Sequence, residues 1–342
     1  MSEYMIMLNS ACNLRCPYCF ATETMENAPG EIGIDNFVKA VEFALKGTRK
    51  RGIGIIGGEP TIHSRFAEMM QLLIDDERVE SVDVFSNGTT ILSHLPVFQN
   101  EKMHILVNCN PPEAMGSVMY QKVIRGIDAL FAAGVTMDRV GLGINIYADD
   151  MDYNYFLSLV DRYRMDSVRI SVSVPHYDNY GGENRFDFFE KYLRKVHDFV
   201  TELLDRGTVP VFDCNKIPPC FLRDEENILI QRYQDDHRAM EALNRSNYLN
   251  GTARCTPSIV VDQNLNAIRC FALSAQTRQS IERFETLENL KRFYADNVDR
   301  FGYIADHSYC TECADLKNKR CMGGCMIFKP ACTSLSLEAP YD

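Results

Sequence analysis

Residues 12–19 read CNLRCPYC, three cysteines spaced C-x3-C-x2-C directly after a short apolar run. Three thiolates can hold three irons of a [4Fe–4S] cluster, which leaves the fourth iron open to a small chelating molecule. A zinc site needs a fourth Cys or His nearby, and the next cysteine in the chain is Cys109. The spacing therefore predicts that Cys12, Cys16 and Cys19 bind an iron–sulfur cluster. Three free thiols buried in a loop are the alternative.

A second informative stretch is GIGIIGGEP at Gly52–Pro60, an apolar strand that runs into a glycine-rich turn. Glycine lets a backbone approach a ligand closely. GGEP alone also fits an ordinary strand-to-helix turn. With CNLRCPYC ahead of it, the pair resembles the signature of the radical S-adenosylmethionine (SAM) superfamily. The resemblance implies that the carbonyls of this turn and Glu59 receive the methionine ammonium group.

This resemblance implies a partial (β/α)6 barrel that binds SAM at the open iron of its cluster. One electron then cleaves the sulfonium C–S bond, and the 5′-deoxyadenosyl radical abstracts hydrogen from an unactivated C–H bond. Ligand-binding residues in such barrels lie at the carboxyl ends of strands. The resulting candidates for SAM binding are Tyr18, Gly57, Gly58, Glu59, Pro60, Ser86, Asn108 and Asn145, with Tyr18 placed near the adenine. A turn-forming Asn is the alternative for Asn108 and for Asn145.

Apolar strands alternate with amphipathic helices along the first two thirds of the chain, which predicts parallel βαβ units. The predicted strands are 4–9, 52–56, 79–85, 103–107, 140–147 and 168–174. The predicted helices are 34–45, with Asp35 as N-cap, and 65–74, 119–133, 152–164 and 186–204, while 21–33 is predicted to be a loop. These elements predict a barrel over residues 1–208.

The next segment, 209–254, breaks this alternation and is predicted to be a linker that carries Cys214 and Cys220. Its charged part, 223–250, is predicted to be helical and solvated. The remaining residues, 255–342, form a cysteine-rich C-terminal domain.

Seven cysteines in the tail are too many for one mononuclear site. Their order and the CMGGC stretch resemble the SPASM extension of radical SAM enzymes, which binds auxiliary [4Fe–4S] clusters. The pattern departs twice, because Leu265 stands where a Gly is expected and one x5 gap is x7 here. The resemblance assigns Cys255, Cys270 and Cys325 to a first auxiliary cluster and Cys310, Cys313, Cys321 and Cys332 to a second.

The first auxiliary cluster then lacks one ligand, which Cys220 or Cys214 would supply unless that iron stays open to substrate. Cys220 is favoured because two prolines directly precede it in IPPC. A zinc pair is the alternative for the C-x2-C and C-x3-C part, and Cys109 is expected to be a buried filler.

Composition limits the remaining possibilities. The 342 residues carry a net charge of −11 with no basic block, which argues against nucleic acid as a partner. No signal peptide or apolar run near membrane-spanning length is found. Thirteen cysteines without secretion signals favour metal ligation in a reducing cytoplasm.

Enzymes with the SPASM extension mostly modify peptides, so the sequence predicts oxidation or cross-linking of a peptide or protein residue. A flavodoxin- or ferredoxin-type reductant is expected. Because the barrel begins at residue 4, a leader-peptide-binding protein is expected to be separate, or else the substrate needs none. Alternatives are a dehydrogenase or epimerase acting on a sugar or cofactor precursor, and formylglycine formation in sulfatases. Sulfatase maturases carry an Asp after the cysteine that matches Cys270, whereas this chain has Phe271.

Overall fold

The structure is a computed structural model that describes residues 2–27, 29–174, 184–249 and 253–337. The chain forms two compact units. The first comprises 1–141, 257–299 and 334–342, and the second comprises 142–256 and 300–333. The boundaries of these units differ from the predicted module boundaries at residues 208 and 254. The division into three sequence modules stays a prediction.

The described chain contains ten strands. They are β1 (Tyr4–Met7), β2 (Arg51–Ile56), β3 (Val79–Ser86), β4 (Met103–Asn108), β5 (Val140–Ile146), β6 (Ser167–Val172), β7 (Val209–Cys214), β8 (Ile259–Val261), β9 (Asn266–Ile268) and β10 (Gln279–Ser280). The alternation of parallel strands with helices confirms a mixed α/β fold of the partial-barrel type.

The longer helices are α2 (Ile34–Leu45), α3 (Phe66–Asp75), α6 (Ser117–Ala132), α7 (Asn154–Tyr163), α8 (Arg185–Asp205), α9 (Arg223–Tyr233), α10 (His237–Arg245) and α12 (Leu287–Asn297). Shorter ones are α1 (Thr22–Asn27), α4 (Leu95–Phe98), α5 (Pro112–Met115), α11 (Ser274–Thr277), α13 (Ser308–Thr311), α14 (Ala314–Lys317) and α15 (Pro330–Thr333). No helix in the described ranges is both long and apolar enough to cross a membrane.

Strand β1 lies inside the sheet of the first unit. It pairs in parallel with β2, where Met5 faces Gly54, and on its other side with β8, where Ile6 faces Val261. All four residues of β1 are buried, as expected for a parallel strand with both faces covered. Strands β2, β3 and β4 continue in parallel, and β8, β9 and β10 form antiparallel pairs. The loop after β1 is therefore anchored at a rigid position.

The second unit contains most of β5 together with β6 and β7. Asn145 of β5 faces Ser171 of β6, and Ile170 of β6 faces Phe212 of β7, all in parallel. Helix α8 buries an apolar stripe that includes Phe189, Phe199 and Leu203. Parallel strands thus continue through β7, one strand beyond the six that the sequence predicts.

Most predicted elements are confirmed to within a few residues, and two details are wrong. Helix α2 has Gly33 at its N-cap position with no side-chain cap, and Asp35 lies in the first turn instead. The segment predicted as a loop at 21–33 contains the short helix α1.

Candidate functional site

The loop after β1 brings the three thiols of CNLRCPYC into electrostatic range of one another. Burial and the neighbouring thiols of Cys12 and Cys19 raise the pKa of Cys16 to about 11. Burial also raises the pKa of Cys12, and the charges of Glu59 and Cys19 add to this. Cys19 itself is exposed. The raised pKa values of Cys12 and Cys16 mean that a cationic centre is needed to draw these two thiols into the thiolate form.

The GGEP turn lies directly against the backbone of the cysteine loop. The Gly58 N–H donates to the Asn9 carbonyl at 2.9 Å, and the Glu59 N–H donates to the Ala11 carbonyl at 2.8 Å. A Cβ at Gly58 would lie 2.6 Å from the carbonyl carbon of Ala11, and one at Gly57 would lie 2.7 Å from Asn9 Oδ1. The absence of a side chain at these glycines thus lets the cysteine loop lie against the GGEP turn. From the sequence, the glycines were expected to make room for a ligand instead.

The Glu59 carboxylate is buried, with 1% of the residue exposed, and accepts four hydrogen bonds from the protein. Its Oε1 accepts from Thr61 N–H at 3.2 Å, from the Thr61 hydroxyl at 2.5 Å and from the Ser86 hydroxyl at 2.8 Å. Its Oε2 accepts from Asn87 N–H at 2.6 Å. Burial raises the pKa of Glu59 against the lowering effect of these bonds. Glu59 therefore caps the short 3-10 helix at Pro60–Ile62, while ammonium binding by Glu59 stays a prediction.

A network of side-chain amides ties the cysteine loop to the end of β3. Asn87 Nδ2 donates to Asn13 Oδ1, and Asn13 Nδ2 donates to the Thr89 hydroxyl, both at 2.8 Å. Thr89 closes the network by donating to Asn87 Oδ1 through its N–H and its hydroxyl. Sequence reasoning missed Asn13 and Thr89. The only available signal for Asn13 was its place between two cysteines of the motif.

At the end of β4 the residue that contacts the cysteine loop is Asn110, whereas the sequence analysis proposed Asn108. Asn110 Oδ1 accepts from the Tyr18 hydroxyl and lies 3.6 Å from Cys16 Sγ. The Asn110 amide in turn donates to the Asn108 carbonyl at 3.5 Å. Binding of SAM by Tyr18 or Asn108 remains a prediction.

Asn145, the candidate on β5, belongs to the second unit. Its Oδ1 accepts from Arg169 Nη1 at 2.7 Å, and Arg169 Nε also donates to Asp213 Oδ2 at 2.6 Å. These residues form a polar group on three adjacent strands, and a role for Asn145 toward SAM stays a prediction.

A second group of cysteines forms within the second unit. Burial and then the charges of Cys321, Cys310 and Cys313 raise the pKa of Cys220 to about 11. Cys321 likewise has a pKa raised by burial and by Cys310 and Cys313. The structure thus brings Cys220 to three of the four residues predicted for the second auxiliary cluster.

The CMGGC turn directs backbone N–H groups at one of these sulfurs. Gly323 and Gly324 adopt positive φ angles of 75° and 97°, which favour glycine. The Gly323 N–H donates to Cys321 Sγ at 3.1 Å, and the Gly324 N–H also bonds to this sulfur. Such N–H···S bonds stabilise a thiolate and are common around cluster ligands.

The remaining predicted ligands lie at varied depths. Cys325 and Cys332 are buried, Cys255 and Cys270 are half-buried, and Cys214 is exposed at the end of β7. Cys255 N–H donates to Met322 Sδ at 3.2 Å. Cys109 is buried and donates to the Val107 carbonyl at 3.5 Å. Within the described residues, no three His, Cys, Asp or Glu side chains form a group that fits a single metal ion.

The position after Cys270 is structural. Phe271 is buried in the core of the first unit with Met5, Met7 and Ile268, and its ring meets Phe20 edge-on at 5.2 Å. This residue therefore contributes packing where a sulfatase maturase would carry a carboxylate.

Curated sequence relatives match part of the chain. A GTP 3′,8-cyclase of Pasteurella multocida is 23% identical over 165 residues, which cover 45% of this chain and 48% of that protein. A probable GTP 3′,8-cyclase of Methanococcus maripaludis is 21% identical over 262 residues, covering 65% and 86%. The chain spans about half the length of the first of these relatives.

Solved structures match nearly the whole chain. The structure of anSMEcpe with bound AdoMet and Cp18Cys peptide has a TM-score of 0.63 at 18% identity, and the match covers 98% of this chain and 91% of that one. Streptococcus suis SuiB has a TM-score of 0.62 at 17% identity, covering 95% and 72%. These similarities establish the fold.

The family model for the Radical SAM superfamily matches residues 6–198, more than half of the chain, and includes both the cysteine loop and the GGEP turn. The chain therefore belongs to the radical SAM superfamily.

Proposed function

We propose that this chain cleaves SAM reductively and abstracts hydrogen from a peptide or protein residue, which is then oxidised or cross-linked. The observation that carries the proposal is the three-thiol loop, Cys12, Cys16 and Cys19, held against the GGEP turn through Gly58. A flavodoxin- or ferredoxin-type protein would donate the electron.

The residues of the loop fit a [4Fe–4S] cluster. Cys12, Cys16 and Cys19 would hold it. Burial raises the pKa of Cys12 and of Cys16, so a bound cationic centre would favour their thiolate forms. When bound, such a cluster and SAM together supply the 5′-deoxyadenosyl radical, while the protein contributes orientation and exclusion of water.

The protein's own contribution is to fix the loop. Glu59 holds Thr61, Ser86 and Asn87 in place, and Asn87 holds Asn13 in the loop. Glu59, with the carbonyls of the turn, would also receive the SAM ammonium group. Gly57, Pro60, Tyr18, Asn108 and Asn145 complete the proposed SAM-binding residues.

The C-terminal cysteines are proposed to hold two auxiliary [4Fe–4S] clusters. Together with the SAM-binding cluster these give about twelve irons per chain. Cys310, Cys313 and Cys321 would bind one of them, with Cys220 as the fourth ligand, because the thiol of Cys220 interacts electrostatically with all three. The sequence-based partition, with Cys332 as fourth ligand of this cluster and Cys220 or Cys214 in the other, is the competing assignment.

A peptide substrate is favoured over a nucleotide by two observations. The structures that match nearly the full chain include anSMEcpe with a bound peptide and SuiB bound to its precursor peptide SuiA. The matches to GTP 3′,8-cyclases shown by curated relatives cover at most 65% of this chain. Formylglycine formation is disfavoured, because Phe271 is a core residue.

The test is an anaerobic assay of SAM cleavage. The reconstituted protein, reduced with dithionite, should release 5′-deoxyadenosine, and the variant with Cys12, Cys16 and Cys19 all changed to Ala should release none while it retains auxiliary iron. Retained cleavage in that variant would overturn the assignment of the three ligands.

The substrate class is tested by measuring which deuterated substrate transfers deuterium to 5′-deoxyadenosine. Deuterated short peptides rich in Cys and deuterated GTP are supplied in separate reactions. Deuterium transferred from a peptide supports the proposal, whereas deuterium transferred from GTP would replace it with nucleotide chemistry.

A further inference from the structure

Arg185, the first residue of α8, is a buried cation next to a cluster-binding cysteine. Only 5% of the residue is exposed. Its Nη1 donates to Asp306 Oδ2 at 2.7 Å, and its Nη2 donates to Cys310 Sγ at 3.1 Å. The guanidinium therefore joins a carboxylate to a sulfur inside the second unit.

The surroundings are shaped to admit this side chain. A Cβ at Gly323 would lie 3.3 Å from three atoms of the Arg185 guanidinium, so a glycine there leaves the space open. Arg185 lies at the N-terminus of α8, which carries a partial positive charge and therefore disfavours a nearby cation. Another interaction must therefore compensate, and the contacts with Asp306 and Cys310 are the ones the structure provides.

Positive charge exceeds negative charge in this buried group. Lys329 is 1% exposed; its Nζ donates to the Ile304 carbonyl at 2.8 Å and lies 3.3 Å from Asp306 Oδ1. Arg185 and Lys329 thus share the single carboxylate of Asp306. A buried charge without a partner costs several kcal/mol, so the surplus calls for an anion, and the sulfur of Cys310 lies within reach.

We propose that Arg185 raises the reduction potential of the auxiliary cluster bound through Cys310, by donating to its sulfur ligand and by placing positive charge beside it. This inference rests on the proposed auxiliary cluster. A donor to a ligating sulfur and a nearby cation both stabilise the reduced, more negative state of an iron–sulfur centre. It holds whether Cys220 or Cys332 is the fourth ligand. Arg185 acts on the cluster through Cys310 and has no proposed contact with the substrate.

The experiment is a redox titration followed by electron paramagnetic resonance. It uses the full chain with Cys12, Cys16 and Cys19 changed to Ala, so that only auxiliary centres give signals. The signal of interest is the one that Cys310→Ser removes. In this background Arg185→Gln should lower the midpoint potential by at least about 59 mV. For a one-electron couple this shift corresponds to a tenfold change in the ratio of reduced to oxidised cluster.

A second variant predicts the opposite sign. Asp306→Asn removes the carboxylate that neutralises Arg185 and Lys329, so it should raise the potential. The matched control is Arg206→Gln, which removes an arginine of the same unit that pairs with Asp161 and Glu202, and it should leave the potential unchanged.

The outcomes separate this inference from the proposed function. An unchanged potential in Arg185→Gln with full iron content, or equal shifts in Arg185→Gln and Asp306→Asn, would overturn the inference alone. A background protein with no iron at all would overturn the proposed auxiliary clusters and this inference with them, while SAM cleavage by the unchanged chain would still support the proposed activity. If Arg185→Gln cannot hold the cluster, the sign of the Asp306→Asn shift decides: a raised potential supports the inference and an unchanged or lowered one rejects it.

Discussion

Replacing Gly58 with Ala should displace the cysteine loop from the GGEP turn. The added methyl group would lie 2.6 Å from the Ala11 carbonyl carbon and 2.9 Å from the Ser10 carbonyl oxygen. Both neighbours are backbone atoms, which cannot rotate away as a flexible side chain does. Either the turn or the loop must shift.

The structure allows a rough magnitude. Overpacking of this kind costs about 1–3 kcal/mol. The shift also threatens the two hydrogen bonds from Gly58 and Glu59 N–H to the loop, which contribute about 1 kcal/mol each. If both hydrogen bonds are lost, the free energy of unfolding should therefore fall by roughly 3–5 kcal/mol.

The assay compares the unfolding free energies of the Gly58→Ala and Gly33→Ala proteins, both prepared without iron. A Cβ at Gly33 meets nothing within 4 Å, and its φ of −74° suits any residue. Gly33→Ala should therefore change the free energy of unfolding by about 1 kcal/mol or less, because the entropy gain from Ala is opposed by its poor fit at an N-cap. Denaturant unfolding measures both variants, and iron content after reconstitution reports on the loop.

Two results would refute the reasoning. Equal unfolding free energies for the two variants would show that the glycine does not create the close approach. A destabilised Gly58→Ala protein that still binds iron and cleaves SAM normally would show that the approach does not position the loop.

Three further predictions concern single side chains. Glu59→Gln should weaken SAM binding about tenfold or more, since a charge-assisted hydrogen bond contributes about 1.5–3 kcal/mol; unchanged affinity by calorimetry would leave Glu59 as a cap only. Cys220→Ala should perturb the paramagnetic signal that depends on Cys310, while Cys109→Ala should not; a normal signal in Cys220→Ala would favour Cys332 as fourth ligand. Burial lowers the pKa of His94, so the folded state binds fewer protons than the unfolded state, and unfolding free energy should fall as pH drops below about 6.5; His94→Gln should flatten this dependence in melts at several pH values.

The strands and helices were predictable because their apolar residues repeat with regular periods. Helix α2 has the predicted bounds. Only its N-cap was predicted wrongly, because Gly33 takes that position without a side-chain hydrogen bond. Strand β8 was not predicted, because a three-residue strand is too short to show a period, and its partner β1 is distant in sequence.

The cysteine motifs were predictable from spacing, but their supporting contacts were not. Asn13, Thr89 and Asn110 form their contacts only when the ends of β1, β3 and β4 meet. Leu265 is instructive because the SPASM pattern expects Gly there. In the structure this residue has a φ of 62°, the left-handed region that favours glycine. The backbone at this position is therefore one that a glycine would adopt more easily than Leu265 does.

The pairing of β1 with β8 has a consequence for synthesis of the chain. Tyr4 pairs with Ile259, so the strand that carries the cysteine loop keeps one open edge until the ribosome has made the C-terminal segment. At about 5–20 residues per second this takes roughly 13–50 s. An unpaired strand edge is a template for association with other chains. The nascent protein should therefore need chaperone protection during this interval, and cluster insertion should follow completion of the chain.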